Sequence, residues 1–195
     1  LYGDQKHFEH SHAKRMESIH DVECGIAVWE DKEGLRLRFE GQLRGFNRFA
    51  LKRPPVWYRT EYAFDARGFR QTWAFRSEKS FKDKVAFLTS MTRITGATGF
   101  RFLRDGEALT EGAVGQGGAR QGQTRGKAAP DTVELLREGK PLCRLTGLRT
   151  PKEPGVNVFV DGSNFFITLL DGKGSAMEAG RWYEFGAEWR IPADQ

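Results

Sequence analysis

The chain has 195 residues and a formal net charge of +5, from 31 Lys and Arg against 26 Asp and Glu. That length fits one domain able to bury a core without a metal or a disulfide, and 38% apolar with 29% charged residues excludes a disordered chain. No apolar run reaches the length of a membrane-spanning helix, and the mild basic balance permits anionic partners while disfavouring a dedicated nucleic-acid binder.

Residues 1–20 are polar, hold all four histidines and read as an N-terminal arm or short helix against the domain edge. Residues 21–195 read as a single β domain. No leader pattern precedes the first strand signal, and the chain starts at Leu1 rather than Met. A secreted or periplasmic location after removal of a leader therefore stays open.

Strand signals then follow in order. Val22, Cys24, Ile26 and Val28 take every second position, which predicts a strand with one buried face. After a turn at 30–34, Leu35, Leu37 and Phe39 alternate with Arg36, Arg38 and Glu40 and complete a hairpin. Tyr62 and Phe64 lead through the turn 65–68 to Phe69, Gln71, Trp73 and Phe75. Ser80 with Asp83 forms a capping-box pattern, and Phe81, Val85, Leu88 and Thr92 follow helical spacing, which predicts one short helix over 81–93. The Thr-rich end of that segment suits a strand as the alternative.

Phe100 and Phe102 run into Arg104-Asp105-Gly106, a hairpin-turn signal. Between residues 112 and 130, glycines mix with Gln and Arg without apolar period, which predicts a long Gly-rich loop, with 115–128 flanking a binding surface. Val133 and Leu135 pass through 137–140 to Leu142 and Leu145, and Val156, Val158 and Val160 turn at 161–163 into Phe165, Ile167 and Leu169. Tyr183, Phe185, Ala187, Trp189 and Ile191 form the clearest apolar row, expected in the middle of a sheet. About ten strands emerge, a number that suits two stacked sheets or a barrel. The expected fold is all-β: an antiparallel β-sandwich of jelly-roll or lectin-like type with one short helix, a barrel being the runner-up.

Chemistry is harder to place. His7, His10, His12 and His20 would give zinc three or more imidazoles, yet their spacing matches no specific motif and a solvated terminus is the preferred reading. No cofactor is therefore predicted, zinc being the alternative. Cys24 and Cys143 have no CxxC spacing and read as small core residues, with one disulfide between them as the other option. The Gly-rich segment lacks the Gly-Lys-Ser/Thr ending of a phosphate loop. Glu61, Glu107, Glu134, Glu184 and Glu188 are carboxylates for acid–base work, but no pair is assignable by spacing.

The segment 45–59 interleaves aromatic and cationic side chains around a Pro-Pro constraint. Phe46, Arg48, Arg53, Trp57, Tyr58 and Arg59 are the candidate ligand contacts, joined by Arg120 and Arg125 from the Gly-rich segment. Aromatic faces cover sugar rings, and arginine forks match carboxylate or sulfate groups. The leading expectation is non-catalytic binding of a glycan, including an acidic one. A polysaccharide hydrolase or lyase is the alternative, and a subunit-interaction domain joined through a sheet edge is the third.

Overall fold

The computed structural model describes residues 2–3, 16–17, 21, 23–45, 56–78, 87–115, 121–125, 130–149, 157–161, 164–168 and 178–192. Every regular element among them is a β-strand. In chain order these are β1 (Tyr2–Gly3), β2 (Met16–Glu17), β3 (Gly25–Asp31), β4 (Gly34–Gln42) and β5 (Arg44–Gly45). Next come β6 (Val56–Asp65), β7 (Gly68–Ser77), β8 (Phe87–Arg93), β9 (Gly99–Arg104), β10 (Glu107–Ala113) and β11 (Gln121–Arg125). The last are β12 (Thr132–Arg137), β13 (Lys140–Arg149), β14 (Asn157–Asp161), β15 (Asn164–Thr168) and β16 (Trp182–Arg190).

All pairings between these strands are antiparallel. A nine-stranded sheet runs β10-β9-β12-β13-β16-β7-β6-β4-β3, and a seven-stranded one runs β11-β14-β15-β8-β1-β2-β5. Turn chemistry explains the hairpins. Asp105 with Gly106 and Glu138 with Gly139 each place two successive residues at positive φ, the backbone twist that suits a two-residue hairpin loop. At β6–β7, Asp65 Oδ1 accepts a hydrogen bond from the Arg67 amide at 2.8 Å. Gly68 there approaches the Trp189 carbonyl so closely that a Cβ would sit 1.9 Å from its oxygen.

The core lies where the two sheets meet. Phe100 and Phe102 of β9, Leu145 of β13 and Phe185 and Trp189 of β16 are buried with Val158, Val160 and Phe165 of the second sheet. Phe165 meets Phe102 and Trp189 edge-on, at ring-centroid distances of 6.3 and 6.2 Å. The apolar row of 183–189 is central as expected, because β16 is flanked by β13 and β7. Ile191 falls beyond the strand and is exposed.

Three expectations change. Residues 87–93 are a strand, not a helix: β8 pairs with β15 along five positions and with β1 along two, so backbone pairing on both sides overrides the helical spacing. Residues 81–86 of the expected helix lie outside the described residues. The Gly-rich segment is interrupted by β11, which pairs with β14; ladder hydrogen bonds join backbones and need no apolar period. The first apolar row is not buried either: Ile26 and Val28 are 61% and 63% exposed, because β3 is the outermost strand of its sheet. Of the N-terminal arm, the short β1 and β2 join the second sheet, and all four histidines lie outside the described residues.

Candidate functional site

The period of two that fills the core also builds the opposite face of the nine-stranded sheet. Where Tyr58, Trp73, Phe75 and Phe185 turn inward, Arg59, Glu61, Thr72, Ala74 and Glu184 belong to the alternate rows. Register assembles them from distant parts of the chain. Glu40, Arg59, Ala74 and Glu184 form one cross-strand row, and Arg38, Glu61, Thr72 and Gly186 form the next. Small residues thus sit in the middle of this face, with long charged and aromatic side chains around them. The result is a cleft of about 400 Å³ floored by Ala63, Thr72 and Ala74. Its walls are Trp29, Arg36, Arg59, Glu61, Arg70 and Glu184.

Several wall groups are held in place. Arg38 Nε binds Glu61 Oε1 at 2.6 Å and its guanidinium lies 5.3 Å from the Trp29 ring. Arg36 is tied to Asp31 at 3.0 Å and to Glu33. The Glu33 amide, then Arg36, holds the Asp31 carboxyl below its ordinary pKa. The exposed Trp182 ring takes the guanidinium of Arg59 at 4.9 Å and that of Arg76 at 5.1 Å. Trp57 Nε1 donates to Glu78 at 2.8 Å at the margin.

Other groups are left to act on a ligand. Arg59, whose buried Nε makes no hydrogen bond, forms only a long ion pair with Glu40 at 3.5 Å. Among the described residues, Arg70 and Glu184 have no hydrogen-bond or ion-pair partner. The cleft therefore offers donors, acceptors and aromatic faces together.

Of the contacts expected from sequence, Trp57 and Arg59 lie on this face. Tyr58 does not: as the inward residue between them it is buried, and its hydroxyl donates to Asp21 Oδ2 at 3.2 Å. Burial, reinforced by the Asp21 charge, pushes its phenol well above the ordinary tyrosine range. Arg125 belongs to β11 in the other sheet. Phe46, Arg48, Arg53 and Arg120 lie outside the described residues. Glu61 and Glu184, read from sequence only as unpaired acid–base carboxylates, are both walls of the cleft, whereas Trp29, Arg70, Arg76 and Trp182 were not anticipated. For the residues of β7 and β16 the signal was their position between core residues, a place also occupied by ordinary solvated side chains; Trp29 lies on the wholly exposed β3.

Among the described residues no group of three His, Cys, Asp or Glu is placed to hold a metal ion. Cys24 and Cys143 are free, half-buried thiols rather than a disulfide, and burial raises the Cys143 pKa.

No protein-family model and no curated protein sequence matches the chain. Among solved structures it is similar to a 4-alpha-glucanotransferase from Thermococcus litoralis, at 9% identity and a TM-score of 0.47. That match covers 86% of this chain, which spans only 23% of the larger protein. It is also similar to a galactose mutarotase-like protein from Lactobacillus casei ATCC 334, at 13% identity and a TM-score of 0.40. There the match covers 86% of this chain and 73% of the other.

Proposed function

We propose that the outward face of the nine-stranded sheet binds a carbohydrate chain without cleaving it. The observation that carries this reading is the small-floored cleft with mixed walls: free Arg70 and Glu184 beside the Trp29 ring, with Trp182 stacked against the wall residue Arg59. A sugar hydroxyl both donates and accepts, so it needs cations and carboxylates side by side. The C–H face of a sugar ring needs an aromatic surface, and the exposed Trp29 and Trp182 rings are the ones at this cleft and its margin. A polyanion such as nucleic acid would favour walls of one sign; here Glu61 and Glu184 stand among the arginines.

The test is a glycan array probed with the protein and with Trp182→Ala, both checked for an intact fold by circular dichroism. Loss of one exposed aromatic platform of this kind costs about 1–3 kcal/mol, an affinity for the bound glycans about five- to 150-fold weaker. No glycan bound by the folded protein would overturn the reading.

A further inference from the structure

A second cleft, of about 650 Å³, lies at the β6–β7 turn and is lined by Asp65, Arg67, Arg144, Arg190, Ile191 and Pro192 among others. It continues the same face. Arg190 follows Glu188 by two positions on β16, and Glu188 lies opposite Arg70 of the first cleft. Two residues of strand separate the rows, about 7 Å. We propose that this cleft is an anion subsite for the carboxylate of an acidic sugar whose chain occupies the first cleft. The inference rests on the carbohydrate reading above and adds the chemical class of the ligand.

The assignment follows from counting donors and acceptors. Asp65 is the only carboxylate among the described lining residues, and both its oxygens are engaged, Oδ1 by the Arg67 amide and Oδ2 by Arg190. Arg190 already pairs with Asp65 and with Glu188, the latter at 3.0 Å. Arg144 spends only its Nε, on Glu134 at 2.8 Å, and its two Nη groups make no hydrogen bond among the described residues. The exposed Arg67 guanidinium makes none either. Among the described residues the cleft therefore presents the guanidinium of Arg67 and the two Nη groups of Arg144, while its carboxylate is already paired with Arg190. The first cleft, by contrast, keeps Glu184 free. A planar carboxylate is the anion that such forks pair with side by side. Exposed Ile191 and half-buried Pro192 give the attached ring an apolar shelf.

The experiment titrates the whole chain with trigalacturonate and with its fully methyl-esterified form, which differ only in the charged group. The acid should bind at least about tenfold more tightly than the ester, as charge-assisted hydrogen bonds are worth about 1.5–3 kcal/mol. Arg67→Gln, in an exposed turn whose Asp65 bond uses the backbone, should remove most of that preference and leave ester binding unchanged. Trp182→Ala should weaken both forms alike. An acid-to-ester ratio unmoved by Arg67→Gln would overturn the subsite while leaving the carbohydrate reading intact. If neither form binds, free galacturonate decides: the Arg67 and Arg144 Nε–H resonances must shift, and their failure to do so overturns the proposal.

Discussion

Tyr58→Phe tests the buried polar knot that fastens residue 21 to β4 and β6. Asp21 accepts from the Gln42 amide at 3.1 Å and from the Tyr58 hydroxyl at 3.2 Å. The substitution keeps the ring in the core and deletes one donor to a carboxylate, so it should cost about 1–3 kcal/mol at neutral pH. Alkaline pH gives a second signature. Burial first, and the Asp21 charge second, raise the folded pKa above the ordinary 10.0. A group raised in this way contributes stability that is complete below the unfolded pKa and lost as pH climbs through the folded one. Above about pH 10 the wild type should lose about 1.4 kcal/mol per pH unit from this group, about 2 kcal/mol by about pH 11.5. The Phe variant cannot lose it. Tyr62, raised by its own burial, acts equally in both proteins. Urea unfolding followed by tryptophan fluorescence, at about pH 8 and then stepwise to about pH 11.5, should show the gap closing or reversing. A gap constant across that range would refute the reasoning, since Tyr58 would then ionise as readily folded as unfolded.

Four further outcomes are expected, each measured by chemical denaturation. Glu134→Gln should cost about 2–3 kcal/mol: its buried carboxylate bridges Arg101 at 3.2 Å and Arg144 at 2.8 Å. That lies below the roughly 3–5 kcal/mol of a fully buried pair, because those arginines are 35% and 48% exposed and can rehydrate. Phe102→Ala, in the contact between the sheets, should cost about 3–5 kcal/mol. Val28→Ala, equally apolar in sequence but on the exposed edge, should stay within about 0.5 kcal/mol. Gly41→Ala should cost about 1–3 kcal/mol, since its Cβ would fall 1.9 Å from Asp21 Oδ2.

The contrast between Phe102 and Val28 shows where sequence reading stops. Alternation reports which residues share a face, and this was legible in 183–189, in 69–75 and in the Asp105-Gly106 turn. It does not report what covers that face. Ile26 and Val28 alternate as cleanly as Tyr183 and Phe185, but one strand ends a sheet and the other is flanked on both sides. Over 87–93 the apolar spacing fits a helix, whereas the Thr-rich composition fits the strand that β1 and β15 extend. The cleft was the least legible feature. Arg59, Ala74 and Glu184 are neighbours only because β16, from the far end of the chain, pairs with β7. Such a long-range pairing leaves no local mark, so Glu184 was legible as a carboxylate but not as a neighbour of Arg59, and Trp182 carried no signal at all.

The central claim is that ligand occupies the small-residue floor between Arg59 and Glu184. Thr72→Trp fills that floor from a half-buried position on the outward face. Calorimetric titration with the strongest ligand from the glycan array should show binding abolished, while the melting temperature stays within a few degrees of wild type. Undiminished affinity in the folded Thr72→Trp variant would contradict the account, because the ligand would then sit elsewhere.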